Sequence, residues 1–448
     1  MAASPGLTAA EKAEITRRSP SHDGLCEATS DADGLAYYPL SSGRWCLAHS
    51  CAAGIEHTGR GGHRVFTRAV IVAAEDRAAF DFDPIAMLTA MNEAGLTDVQ
   101  LDPPAELPSA TLQPGSALCP SSETADCWNR SAAAMAEALG VLLHGQQLVL
   151  IAADDPVNSM WALTASLPIS VRASTSISCN LKFSMGRCLS LNIVADEATR
   201  LRRLLRGQPV TCIDLQCYKP SADRHAGAWV TMVSQRWAHG QVFDLIDLTA
   251  QASADGSAAD FDAIAALFAE LETVDQRSSG ELVEMLRRLR PGGDGGRVGP
   301  HISQKVGGRV VQRLNELARS MSPDEAWNTS ADLAEAYLQA WVARSLLAAP
   351  LVACLQKVVA HRPADVTRFV VGLLESAVAV NPGILVSLDM SLQELLRRIA
   401  SSFTPTDLAD ARAMGKLLRR WHVFLPHHEV AGHLADTFSP RSRKRTRT

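Results

Sequence analysis

Between Arg44 and Val72 the chain reads RWCLAHSCAAGIEHTGRGGHRVFTRAVIV, which gathers Cys46, His49, Cys51, His57 and His63 around a glycine-rich turn. Three chemistries follow from those residue types. A thiol beside an imidazole can act as a nucleophile, provided the pair meets and the thiol pKa is lowered. Cys and His are zinc ligands, but the spacing C-x2-H-x-C-x5-H-x5-H matches no closed zinc motif. The segment Gly54 to Gly61, GIEHTGRG, has two glycines at phosphate-loop spacing. Arg60 and Gly61 stand where Lys and Ser or Thr belong, and a strand rather than a helix is expected to follow. The reading that uses most residues at once is a turn shaped by Gly59, Gly61 and Gly62 that feeds a strand over Arg64 to Val72, with Arg60 projecting toward a carboxylate or phosphate.

Other constellations are weaker. HHEVAGH brings His428 and His433 five positions apart, so on a helix the two imidazoles diverge instead of sharing one zinc ion. Asp154 and Asp155 follow the apolar run LVLIAA, but with no phosphate loop they read as a helix cap before Pro156. No G-x-S-x-G elbow or dinucleotide fingerprint occurs. No catalytic residue, metal ligand or cofactor is assigned from the motifs. The alternatives kept open are a cysteine- or metal-dependent hydrolase using Cys46 to His63, and a nucleic-acid-binding effector using the C-terminal tail. In that tail Arg441, Arg443, Lys444, Arg445 and Arg447 form a run suited to weak polyanion contact.

The elements that would carry these residues follow from the rest of the chain. At 448 residues, 47% hydrophobic and 20% charged, it is long enough for two or three domains with a substantial core. A net charge of −5 argues against a surface given over to nucleic acid or anionic lipid. The first residues lack an apolar signal region, no run is long enough to span a bilayer, and the ten cysteines form no C-x-x-C pair, so a cytoplasmic protein with reduced thiols is expected.

The expected fold is an α/β or α+β N-terminal half followed by an all-α C-terminal half. Its parts are a disordered start (1–20), an N-terminal α+β domain (21–120), a middle α/β domain (121–218), a helical domain (219–438) and a basic disordered tail (439–448). Strands are predicted at Arg64 to Val72, Gln146 to Asp154, and in ISVRASTSISCNLKF, CLSLNIVAD and VTCIDLQCY. Helices are predicted at Asp83 to Leu96, at Trp128 to Gly145, from Asp155–Pro156 onward, and at EATRLRRLLRG. Beyond Lys219, apolar residues three and four apart dominate, interrupted by a Gly/Pro turn at Pro291 to Pro300.

The stretch Arg44 to Val72, with Leu47-Ala48, Gly54, Glu56, Thr58-Gly59-Arg60 and Phe66, resembles the N-terminal domain of the GTPase-associated protein 1 family of bacterial NTP-dependent conflict systems. Leu148 to Ser178 is similar to the family's middle region at Trp161, Leu167-Pro168 and Arg172 to Ser174. His57 stands where an aromatic is expected, and ASTSIS lacks another. The resemblance implies a noncatalytic adaptor or regulatory scaffold of a defence system that recruits a GTPase, another NTPase or an effector. It supplies no catalytic residues. Arg60 and Arg172 are its candidates for partner or anion contacts, or for internal ion pairs.

Overall fold

The computed structural model describes residues 2–26, 33–55, 63–100, 104, 106–115, 120–152, 154–195, 198–219, 227–251, 258–290, 298, 300–380 and 395. The chain divides into two compact units, 1–265 and 266–448.

The first unit is built on a mixed seven-stranded sheet of order β3-β2-β1-β5-β6-β4-β7. Its strands are β1 (Asp33–Pro39), β2 (Trp45–Ile55), β3 (His63–Val72), β4 (Gln147–Ile151), β5 (Ile177–Cys179), β6 (Leu191–Val194) and β7 (Val210–Asp214). β1, β2 and β3 form an antiparallel meander, and β1 also pairs antiparallel with β5. From β5 through β6 and β4 to β7 the pairing is parallel. Strands from the segments expected as N-terminal and middle domains therefore share one sheet.

Local chemistry explains the flanking helices. α1 (Ala9–Arg18) starts at a capping box of Thr8 and Glu11 and buries Ile15 against Tyr38, Cys46 and Leu181. It lies within the segment expected to be disordered. Its Glu11 accepts hydrogen bonds from Arg44 Nε at 2.8 Å and Ser42 Oγ at 2.6 Å, and Glu14 accepts from the Ser41 amide at 3.0 Å, which ties the helix to the β1–β2 turn. α2 (Pro84–Glu93) is capped by Asp83. The predicted helix from Trp128 is two helices, α3 (Ser122–Arg130) and α4 (Ala132–Leu143), broken at Ser131. α5 (Pro156–Ser166) starts at Asp155, whose carboxylate accepts from the Asn158 amide at 3.1 Å, as its sequence signal predicts.

One expected strand differs. In ISVRASTSISCNLKF the first half forms a short helix, α6 (Ile169–Ser174), and only Ile177–Cys179 pairs in the sheet. Pro168 presets the first turn, and the Arg172 contacts described below hold it. α7 (Ala198–Leu204) covers the face carrying Val149, Ile151 and Val194. The connections β4 to β5 and β6 to β7 run in opposite directions along the sheet, so right-handed crossovers put α5 and α7 on opposite faces. α8 (Ala228–Ala238) buries Trp229 and Trp237, and the indole of Trp237 donates to Ser166 Oγ at 2.8 Å. Trp237 stacks on Trp128 with ring centroids 5.6 Å apart. α9 (Val242–Gln251) and α10 (Ala258–Glu272) follow, the second running past the unit boundary.

The second unit is helical among its described residues. α11 (Ser279–Arg288) and α13 (Pro323–Gln339) open with Ser–Glu capping boxes. α12 (Pro300–Ala318) passes so close to Val342 that a Cβ on Gly307 would lie 2.4 Å from Val342 Cγ1, so only glycine fits there. α13 ends where Ala340 turns into the left-handed region at φ 53°, and α14 (Arg344–Val359) follows. α15 (Pro363–Val380) ends the described helices. The expected features at Pro291 to Pro300 lie outside the described residues except for residues 298 and 300. Those in HHEVAGH and at Arg441, Arg443, Lys444, Arg445 and Arg447 lie outside them altogether.

Candidate functional site

β2 separates Cys46 from His49 but leaves Cys51 on the same face as His49. Side chains alternate across a strand, so Cys46 points into the core under α1, whereas His49 and Cys51 take the opposite face. Burial pushes the Cys46 thiol up to about 12, against the pull of its Tyr38 hydrogen bond. Cys51 is also raised, first by burial and then by the Asp33 carboxylate. A nucleophilic thiol needs a shift in the other direction. His49 is buried with its Nε2 3.3 Å from Asp33 Oδ1. Among the described residues no three His, Cys, Asp or Glu side chains gather to hold a metal ion. His57, Gly59, Arg60, Gly61 and Gly62 lie outside the described residues.

The polar interactions concentrate instead around Arg172. It is buried, and the three sequence elements noted above converge on it. Its Nη2 donates to the Leu167 carbonyl at 3.1 Å, to Ala165 O at 3.5 Å and to Thr249 Oγ1 at 3.3 Å, while Nη1 donates to Asp81 O at 3.3 Å. Trp161 lines a cleft of about 100 Å³ beside it, with Phe80, Asp81, Asp83 and Ile246. The chain facing Arg172 is strained: Asp81 and Phe82 sit at φ 49° and 55°, in the left-handed region that non-glycine residues rarely adopt. Asp83 caps α2 through the Ile85 amide at 2.8 Å. Burial raises the Asp83 carboxyl, opposed by the Arg172 charge, and burial lowers Arg172, opposed by Asp83 and then Asp81.

A second buried arginine braces the same turn. Arg77 donates to Tyr37 Oη and to Ala173 O, each at 3.0 Å, and its guanidinium lies 3.7 Å from the Trp45 ring centroid. Arg77 and Arg172 thus fasten residues 76–83 to β1, β2, α5, α6 and α9. Arg172 holds the fold internally; the expectation that it meets a partner or anion gains no exposed guanidinium. Sequence reasoning missed Arg77 altogether, and Asp83–Pro84, a capping residue before Pro at the first helical position, was the available signal for Asp83.

A wider cleft of about 620 Å³ is lined by Glu123, Asp126, Asn129, Arg130 and Asp155. Asp155 is committed there to capping α5, and Asp154 accepts from Gln216 Nε2 at 3.1 Å.

The remaining open feature is the edge of the sheet. β3 is ten residues long and, among the described residues, pairs only with β2. Gly54, at φ 86°, lies in the irregularity between Ala52 and Ile55 that bends β2 near the turn. At its start, His63 is occupied on the outer side: its amide donates to Asp23 Oδ1 at 2.8 Å, and its carbonyl accepts from the Asp23 amide at 3.1 Å. Backbone groups alternate along a strand, so Val65, Thr67, Ala69 and Ile71 continue the same outward row. Among the described residues, no backbone group from Arg64 to Val72 bonds anything but β2.

Residues 1–111 match the family model described as GTPase-associated protein 1, N-terminal domain type 2. This agrees with the resemblance read from Arg44 to Val72 and covers α1, the β1–β3 meander, the Asp76–Asp83 turn and α2. Searches of curated proteins and of solved structures returned no match.

Proposed function

We propose that the protein is a noncatalytic adaptor or regulatory scaffold of a GTPase-associated defence system, which recruits a GTPase or another NTPase. The GTPase-associated domain at residues 1–111 supplies the association with such a system. The observation that carries the adaptor role is the outer edge of β3 from Arg64 to Val72, whose outward backbone donors and acceptors have no partner among the described residues and are of the kind proteins use to capture another chain. Cys46 lies across β2 from His49, Cys51 shares the His49 face, and burial raises both thiols, which favours this reading over a cysteine hydrolase.

A cytoplasmic site of action is part of this proposal; no helix among the described residues is long and apolar enough to cross a membrane. Polyanion contact by the Arg-rich tail is an accessory to recruitment. The test is affinity capture of the tagged full chain from its native host with mass spectrometry. Stoichiometric recovery of a nucleotide-binding protein, retained through size exclusion, supports the role, and a chain that elutes alone from every capture contradicts it.

A further inference from the structure

The β3 edge carries a charge pattern as well as open hydrogen bonds. On one face of the strand, Arg64, Phe66 and Arg68 stand at alternate positions, opposite the face on which Val65, Ala69 and Ile71 pack against the core under α1. Arg64 is exposed and makes no ion pair or hydrogen bond among the described residues. Arg68 donates to the neutral Gln100 side chain at 3.1 Å and meets no carboxylate among the described residues. Neither β2 nor β3 contains a carboxylate. Neither a short length nor a proline blunts β3, and its charged side chains are the two arginines Arg64 and Arg68. The edge is long, apolar on alternate sides and cationic on one face.

We infer that β3 is the docking strand for an acidic extended segment of a partner protein, which adds to the sheet beyond β3 with carboxylates opposite Arg64 and Arg68 and an apolar side chain opposite Phe66. Residues directly opposite one another on paired strands share a face, so the partner segment carries the pattern acidic-x-apolar-x-acidic. Its main chain satisfies the outward groups of Val65, Thr67, Ala69 and Ile71, giving affinity, and the two carboxylates give selectivity. A second copy of this chain is the poorer occupant, because it brings an arginine-bearing, carboxylate-free strand to the same seam. The inference rests on the adaptor reading and names the chemistry of its partner.

The test uses the full chain and two fluorescently labelled peptides in anisotropy titrations at low salt. One is Thr-Val-Glu-Thr-Val-Thr-Glu-Val-Thr; the other has Lys at both Glu positions. The expected result is binding of the Glu peptide at least about tenfold tighter than the Lys peptide, weakening as salt rises. In the Arg64→Glu/Arg68→Glu variant the preference reverses. Ala69→Pro, which deletes an outward amide and leaves the β2 ladder intact, weakens the Glu peptide by about tenfold with the thermal transition retained. Equal binding of the two peptides, no binding of either, an unreversed preference in the double variant, or a dimer built on β3 in sedimentation would overturn the inference. If the peptide preference fails while a nucleotide-binding protein still co-purifies, the edge is not the contact and the adaptor reading stands. If the preference reverses as expected and nothing co-purifies, the strand site stands and the recruiting role falls.

Discussion

The two ends of the first unit's sheet solve the same problem in opposite ways. At the β7 end the edge strand is five residues long and belongs to a parallel group whose strands read as short apolar runs flanked by α4, α5 and α7. Parallel strands need crossover helices, and those helices cover both faces, so burial at that end is a consequence of topology. At the β3 end the strands pair antiparallel, a pairing that requires no crossover helix, and the edge strand is ten residues long. The difference teaches where recognition is cheap: a parallel end is closed by its own connections, whereas a meander leaves a strand's worth of backbone unpaired unless something is added.

The largest effect is expected where the two ends are fastened together. Arg172→Met removes a buried guanidinium that donates to the carbonyls of Asp81 and Leu167 and whose charge opposes the upward shift of the Asp83 carboxyl. Leaving these carbonyls without their charged donor costs about 1–3 kcal/mol each, and chemical denaturation should show a summed loss of about 3 kcal/mol. A loss under about 1 kcal/mol would mean that the strained turn at Asp81–Phe82 is held by other contacts. Ser166→Ala tests the covered end alone. It leaves the buried Trp237 indole without its acceptor, for an expected loss of about 1–3 kcal/mol in the same measurement.

The thiols sharpen the contrast without changing the fold. Exposed Cys217 should alkylate with iodoacetamide at pH 8 well before Cys46, whose thiol is held near 12 by burial. Mass spectrometry showing Cys46 modified first would return the hydrolase to consideration.

The smallest effect concerns α1 at the meander end. The Arg44 and Ser42 hydrogen bonds hold the Glu11 carboxyl well below its ordinary 4.5. A depressed folded-state pKa stabilises above the unfolded value and is lost as pH falls below it. α1 docking should therefore be unchanged from pH 7 to about 5 and weaken progressively below about 4.5. In Glu11→Gln that dependence on acid should flatten, as read by chemical-denaturation midpoints measured from neutral pH downward.

Much of this was legible in the sequence, in a graded way. β4, α2 and the Asp155 cap stand out because a five-residue apolar run and an Asp-Pro pair have few other uses. The family resemblance was legible from Arg44 to Val72, where Gly54 sits at the bend of β2. β1 and β2 were not legible, because WCLAHSCA mixes small, polar and apolar residues on a strand buried on both faces, which erases the alternation that marks a half-exposed strand. α6 was misread as strand because β-branched and small residues in ISVRAS follow strand propensity, while the contacts of Arg172 impose a helix. The candidate site was the least visible part. Arg77 and Arg172 meet the same turn although they lie 95 positions apart, and no spacing rule joins them. The open edge could not be seen until strand order was known.

The most direct test of the account is residue-resolved hydrogen exchange on the free full-length chain. The amides of Val65, Thr67, Ala69 and Ile71 should exchange rapidly, while those of Phe66, Arg68 and Val70, which face β2, are protected to the level of the sheet interior. Uniform protection along β3 would show that the edge is already paired and would contradict the docking role given to it.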